Sequence, residues 1–272
     1  STNVDRYAKK LQGELVFKLL LHCILSYKDN SLRTMGSAYE SIAFKLLNTG
    51  IKSEKIRFSS ISERLSTIEP AFFEILYTIC LERYSGILMP SKPSLIRFDS
   101  TIVALSGKLL RVGYQLRGGD TGHLRQLKFT VGFSNLPVAV HFFTEQAYTS
   151  ENTALKEAVL SFKPAQTDIV RVFDRGITSR KTYDELTEGN ITFVSRLNVK
   201  SKRESYTENQ LLSPLETPTL IINSDCLVYL FKDHSVKAKY PIRCIQASRK
   251  EDGQEMVFIT NINGLSAADI TL

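Results

Sequence analysis

The spacing of apolar residues changes along this chain. Up to about residue 88, apolar positions recur every three or four residues, as in Leu15–Leu25 and Ser31–Leu47, which is the period of amphipathic helices. After the proline-containing stretch Leu88–Pro93, they form short runs and alternations bounded by Gly, Asn and Pro, which is typical of strands. The sequence predicts a helical N-terminal domain over 1–90, followed by a region that contains a sheet.

The region over 91–199 combines strands and helices. We predict strands near 94–104, 108–117, 125–134 and 137–143, a helix over Ser150–Ser161, a strand before Asp174, a helix over about Ser179–Thr187, and a strand over Ile191–Arg196. Three antiparallel strands followed by helix, strand, helix and strand indicate an α/β fold with a mixed sheet. Gly189 is expected to end the second helix in the left-handed conformation.

A third pattern begins at residue 200. Alternating segments predict strands over Thr219–Asn223, Cys226–Lys232, Tyr240–Ala247 and Glu255–Asn261, and Asp252-Gly253 predicts a hairpin between the last two. Ser266 and Asp269 are spaced as a capping box at the start of a final helix. We therefore predict an all-β segment over 200–263 and the start of a helix over 264–272.

Two acidic residues follow apolar strands and precede small, polar turns. Asp99 follows Leu95-Ile96-Arg97-Phe98, and Asp174 follows Ile169-Val170-Arg171-Val172-Phe173. Open α/β sheets bind ligands at the carboxyl ends of their strands, so the two carboxylates are expected to converge there. Carboxylates are preferred ligands of Mg²⁺, which supports phosphoryl transfer. The alternative is that each Asp caps its own turn.

The chain is basic, with 35 Lys and Arg against 28 Asp and Glu, a formal charge of +7. The excess is sharpest over Ser91–Thr130, where Lys92, Arg97, Lys108, Arg111, Arg117, Arg125 and Lys128 face only Asp99 and Asp120. This distribution favours a polyanion such as DNA, with ordinary surface solubility as the alternative. The predicted DNA contacts are Lys108, Arg111, Arg117, Lys128, Arg175 and Arg64.

The spacing of the cysteines and histidines argues against a zinc enzyme, and the length of the apolar runs argues against a membrane span. The four Cys form no CxxC pair, and the four His have no HExxH spacing, so a zinc enzyme is disfavoured and reduced cytoplasmic thiols are expected. The most apolar early stretch, Leu15–Leu25, is interrupted by Lys18 and His22 and is too short to cross a bilayer. We expect no membrane partner.

An ordered series of motifs resembles a known family. Phe98-Asp99-Ser100-Thr101, then Gln126–Val131, then Asn135-Leu136-Pro137-Val138, then Phe173-Asp174-Arg175-Gly176 with Tyr183 in the helix that follows, are similar to the DDE transposases of the insertion-sequence-four type. The resemblance covers about Ser94–Leu272. It implies a ribonuclease H-like catalytic core over 91–199, interrupted by a β insertion.

The resemblance also implies an activity. Asp99 and Asp174 would be catalytic and would hold Mg²⁺ or Mn²⁺ for cleavage of DNA at transposon ends and strand transfer into target DNA. Double-stranded DNA would be the partner, with a homodimer in the DNA complex and a bacterial, nucleoid-associated location. The family's third acid is a Glu in a Tyr-Arg-Glu-Lys signature on the helix after the insertion.

The given sequence stops at Leu272 as that helix begins, so an incomplete and inactive fragment is expected. Glu251 and Glu255 flank a predicted hairpin turn and would not reach the crevice. Two other functions stay open: a catalytically inactive, transposase-derived DNA-binding protein, and a metal-dependent nuclease or phosphoesterase.

Overall fold

The computed structural model describes residues 3–6, 8, 10–51, 55–88, 95–105, 113–115, 125–163, 168–232 and 236–271. The chain forms two compact units, Ser1–Gly86 and Ile87–Leu272. Each unit has its own buried core. None of the helices built from described residues is long and apolar enough to cross a membrane.

The first unit is helical. Its helices are α1 (Gly13–Ser26), α2 (Leu32–Glu40), α3 (Ile42–Leu47), α4 (Phe58–Thr67) and α5 (Pro70–Leu88). Leu19, Cys23, Tyr39, Phe44 and Ile61 are buried together at its centre. The apolar residues that predicted these helices thus supply the core, as amphipathic packing requires.

The helix expected over Ser31–Leu47 is broken at Ser41. Ser41 has extended backbone angles, and its hydroxyl accepts a hydrogen bond from Phe44 N and donates one to Ala38 O. One side chain therefore closes α2 and caps α3, which satisfies backbone groups that a helix end leaves free. The periodic pattern continues across the break because both helices face the same core.

The second unit is built on one sheet, to which twelve strands contribute among the described residues. They are β1 (Leu95–Leu105), β2 (Tyr114–Gln115), β3 (Arg125–Phe133), β4 (Pro137–Phe143), β5 (Val170–Phe173), β6 (Phe193–Leu197), β7 (Arg203–Ser205), β8 (Leu215–Glu216), β9 (Leu220–Lys232), β10 (Val236–Lys237), β11 (Ile242–Arg249) and β12 (Glu255–Thr260).

The strand order is β10-β9-β11-β12-β6-β5-β1-β3-β2, with β4 beside β3, and β7 and β8 beside β9. Strands β1, β5 and β6 run parallel, and their neighbours β3 and β12 run antiparallel to them. The sheet is therefore mixed, as predicted. The strands expected in an all-β segment continue the same sheet, because β12 pairs directly with β6.

Three further helices pack on the two faces of this sheet. Helices α6 (Glu151–Ser161) and α7 (Arg180–Glu188) pack on one face, where Phe98, Phe173 and Phe193 are buried. The short helix α8 (Ala267–Thr271) packs in a second cluster with Val194, Ile245 and Phe258. Since Phe193 and Val194 alternate along β6, the two clusters lie on opposite faces.

Several local predictions can be checked directly. The Ser266 cap of α8 is confirmed, since Asp269 N donates to the Ser266 hydroxyl. The Ser266 hydroxyl, rather than the backbone N–H that a capping box uses, donates to Asp269 Oδ2. The Asp252-Gly253 hairpin is confirmed between β11 and β12, with Gly253 at φ +69°. The prediction that Gly189 takes the left-handed conformation after α7 is wrong. Gly189 has φ −77°, and the next residue, Asn190, takes the positive angle, φ 52°.

The two strands expected over Thr219–Asn223 and Cys226–Lys232 are one strand, β9. The polar residues Ser224 and Asp225 separate the two apolar segments in the sequence. The register against β11 instead pairs Gln246 with Ser224 and Ala247 with Ile222, which leaves Asn223 as an extra residue. A β-bulge therefore accommodates the polar segment without ending the strand.

Candidate functional site

The strand register brings Asp99 and Asp174 to neighbouring positions. Strands β1 and β5 are parallel, and Phe98 pairs with Phe173. Asp99 and Asp174 are each the next residue along their strands, and adjacent strands lie about 4.8 Å apart. Phe98 and Phe173 are buried against α6 and α7, so alternation directs the two Asp residues to the opposite face of the sheet.

The two acids differ in their place along the strand. Asp174 follows the last residue of β5, as predicted. Asp99 lies inside β1, which continues to Leu105, so its prediction as a strand end is wrong. Antiparallel pairing with β3 supports the extra length of β1 beyond the end of β5, because Asp99 pairs with Val131 and Leu105 with Arg125.

Asp99 and Asp174 form a row across two neighbouring strands, and Arg196 extends this row to a third strand. Phe173 pairs with Ser195 of β6, so Arg196 occupies the position beside Asp174. Its Nε lies 3.8 Å from Asp174 Oδ1, while the Asp174 side chain stays 69% exposed. Arg196 was not among the predicted site residues, although it ends the predicted strand Ile191–Arg196 just as Asp174 follows the preceding strand.

The turn after Asp174 is fixed by close packing. A Cβ placed on Gly176 would lie 2.8 Å from Leu155 Cδ2 and 2.9 Å from Glu151 Oε1, so only glycine fits this position without a shift. Asn152 Oδ1 accepts hydrogen bonds from Thr178 N and Ser179 N. Helix α6 therefore holds the segment that leads from Asp174 into α7.

Tyr183, which the resemblance singled out, supports the same turn from the other side. It is 3% exposed and stacks on Phe193 at 5.5 Å between ring centroids. Its hydroxyl donates to Ile177 O at 2.7 Å, and burial raises the pKa of Tyr183, which keeps the phenol protonated. The Tyr in α7 thus positions the Asp174 turn.

Asp99 is held on the sheet by local contacts. Its Oδ1 accepts a hydrogen bond from Ser100 N at 2.9 Å, and the Ser100 and Thr130 hydroxyls bond to each other at 2.7 Å across β1 and β3. Asp99 is exposed, and so is Asp174. Both carboxylates are therefore accessible to a ligand from solvent.

Two of the predicted DNA contacts are engaged inside their own units. Lys128 is 2% exposed and donates to Thr149 O at 2.8 Å, and burial lowers its pKa. The Arg64 guanidinium, with its side chain 13% exposed, donates to Leu11 O, Val4 O and Asp5 Oδ1. These contacts give both cations structural roles, and we do not carry them into a DNA-binding surface.

The other four predicted DNA contacts are one exposed arginine and three residues outside the described parts of the chain. Arg175 is exposed and lines a groove of about 780 Å³ beside Asp174. Lys108, Arg111 and Arg117 lie outside the described residues. Arg175 is therefore the predicted cation whose location suits a phosphate contact.

The acids at this row have the chemistry of a hard-cation site, since two neighbouring, exposed carboxylates repel one another until a cation intervenes. Within the described parts of the chain, no group of three or more His, Cys, Asp or Glu could hold a metal ion. Glu251 and Glu255 lie at the β11–β12 hairpin, as predicted, and belong to other register positions. The described site thus offers two carboxylates.

Comparison with known proteins assigns the chain to a class. A family model described as "Transposase DDE domain" matches residues 90–269, about two thirds of the chain. No curated protein matches it significantly. The chain belongs to the transposase DDE domain family, a family of enzymes that transfer phosphoryl groups on DNA.

Proposed function

We propose that this chain is a DNA transposase of the insertion-sequence-four type, with a ribonuclease H-like core. The order β4-β3-β1-β5-β6, with β1, β5 and β6 parallel and β3 antiparallel to β1, supports this core. The observation that carries the proposal is the pairing of Phe98 with Phe173, which sets Asp99 and Asp174 side by side in a transposase domain.

Asp99 and Asp174 are the residues that would hold Mg²⁺ or Mn²⁺. Such ions, when bound, supply positive charge that activates the attacking oxygen and stabilises the leaving oxygen. In the cleavage step, water attacks phosphorus, the bond to the 3′-oxygen breaks, and that oxygen takes a proton. In strand transfer, the freed 3′-hydroxyl attacks a phosphodiester of the target DNA and releases another 3′-hydroxyl.

Arg196 has a positioning role in this scheme, because it contacts the Asp174 side chain. At 3.8 Å from Asp174 Oδ1, its guanidinium limits the directions that the Asp174 side chain can take. Gly176, Asn152 and Tyr183 fix the turn that carries Asp174. These residues orient a metal ligand, and small displacements of a ligand lower the rate by large factors.

The test measures Mn²⁺ binding from the electron paramagnetic resonance signal of free Mn²⁺. We expect weak binding by the chain and a loss of tenfold or more, roughly, in Asp99→Asn and in Asp174→Asn. Asp252→Asn, which alters an exposed carboxylate in the β11–β12 turn, is the matched control. Equal Mn²⁺ affinity in all four proteins would refute the metal site.

The same proteins separate the other two functions. A transposase-derived DNA-binding protein without activity would bind DNA and show no Mn²⁺ binding that depends on Asp99 and Asp174. A metal-dependent nuclease would nick a supercoiled plasmid but would not join an oligonucleotide 3′-end to it. Light scattering with and without duplex DNA tests the homodimer that we propose for the DNA complex, and fractionation of bacterial cells tests nucleoid association.

A further inference from the structure

The groove beside Asp174 is strongly basic. It lies between the turn after β5, the start of α7, the end of β6 and strand β9, and it measures about 780 Å³. Its described lining contains no carboxylate and six cations: Arg175, Arg180, Lys181, Arg196, Lys200 and Lys202. Two of these cations have an acidic neighbour, since Arg196 lies 3.8 Å from Asp174 and Lys181 lies 4.0 Å from Glu185.

Arg180 is the unusual member of this set. One guanidinium nitrogen, Nη2, donates to the Ser201 hydroxyl at 2.9 Å. The other, Nη1, is buried and has no hydrogen-bond partner among the described residues. A desolvated guanidinium with an unsatisfied donor is costly, and a phosphate oxygen would supply both the missing acceptor and the opposite charge.

The groove also contains an aromatic ring. Phe231 of β9 lines it, and the Lys202 ammonium lies 4.6 Å from the centroid of that ring. Proteins that hold a single nucleic-acid strand combine cations that follow the backbone with aromatic side chains that stack on bases. The lining therefore suits a nucleotide strand better than an isolated anion.

We propose that this groove, with Arg180 at its base, binds the sugar-phosphate backbone of one DNA strand next to Asp174. The proposal rests on the proposed function for the identity of the polyanion. Of the cations in the groove, Arg175 was among the predicted DNA contacts. Because Arg175 and Arg196 each lie beside Asp174, the strand in the groove would continue directly into the metal site.

The first experiment measures binding of a labelled single-stranded oligonucleotide by fluorescence anisotropy, in EDTA, at several salt concentrations. The variant Lys181→Gln/Lys200→Gln/Lys202→Gln removes three exposed cations of the groove. The control Lys163→Gln/Lys239→Gln/Lys250→Gln removes three exposed cations that do not line the groove. Each lost phosphate contact lowers the salt slope by about 0.7, so we expect a decrease of about 2 in the groove variant alone.

The second experiment locates the DNA without mutation. Acetylation followed by mass spectrometry should show that the oligonucleotide protects Lys181, Lys200 and Lys202, and leaves Lys163 and Lys250 reactive. Arg180→Gln, checked for folding by circular dichroism, should also weaken binding. Equal salt slopes in both triple variants, or no selective protection, would overturn the groove proposal.

The two proposals fail in different ways. Binding in EDTA does not need a metal, so the groove is tested whether or not Asp99 and Asp174 hold Mn²⁺. DNA binding with equal slopes in both triple variants would reject only the groove. Absence of any DNA binding by the unaltered chain would reject both the groove and the transposase.

Discussion

Arg243 is the clearest test of what holds the sheet unit together. Its guanidinium forms a two-pronged ion pair with Asp225, with Nε 2.9 Å from Oδ1 and Nη2 2.7 Å from Oδ2. The two side chains are only 8% and 5% exposed. Nη1 donates to Ile262 O and Leu265 O, which precede α8. One side chain thus joins β9, β11 and the segment that leads to α8.

Replacing Arg243 with Met should destabilise the sheet unit by about 3 to 5 kcal/mol, because it leaves the Asp225 carboxylate buried without a partner. With a urea dependence near 3 kcal/mol per M, the unfolding midpoint should fall by about 1 to 2 M. Hydrogen exchange of peptides from β9 and β11, followed by mass spectrometry in urea, measures this unit separately from the helical one.

Two further variants decide whether the reasoning is right. Arg243→Met/Asp225→Leu removes both charges and should recover most of the lost stability, less the cost of the two carbonyls that lose their donor. Lys250→Met breaks the exposed pair with Glu216, which solvent screens, and should leave the unfolding midpoint nearly unchanged. A loss below about 1 kcal/mol in Arg243→Met, or a double variant no more stable than the single one, would refute the argument.

Two other predictions follow from local packing. Gly176→Ala should cost about 1 to 3 kcal/mol of stability in the same exchange assay, because the new Cβ meets Leu155 and Glu151. The control Gly264→Ala should be neutral, because its Cβ meets nothing within 4 Å. Equal stability of the two variants would contradict the close packing at Gly176. Burial raises the pKa of Cys244 to about 12, so the thiolate is scarce at pH 8, and a maleimide should label exposed Cys80 in the native protein but Cys244 only after unfolding. Native labelling of Cys244 as fast as Cys80 would show that the sheet opens.

The sequence predicted the two acids because each follows a short apolar run. Ile96 and Phe98 in β1, and Phe173 in β5, are apolar because α6 and α7 cover them. An apolar run therefore carries its own signal, and the Asp that follows the run stands out. The convergence of Asp99 and Asp174 depends on register, and register comes from contacts between distant segments.

Other features of the site could not be predicted from local sequence. In β3, the polar residues Lys128 and Thr130 are buried, while Leu127 and Phe129 are only half-buried, so the apolar pattern indicates the wrong face. Lys128 compensates by donating to Thr149 O. Arg196 was missed for a similar reason, since its partner Asp174 lies on a different strand and is 22 positions earlier in the chain.

The pairing of β12 with β6 has a mechanical consequence. Val257 to Thr260 of β12 pair with Leu197 to Val194 of β6, and β6 in turn pairs with β5, the strand before Asp174. A hinge between the C-terminal strands and the acidic row would have to break this ladder. The sheet therefore holds the C-terminal strands and the row of acids at fixed positions relative to each other.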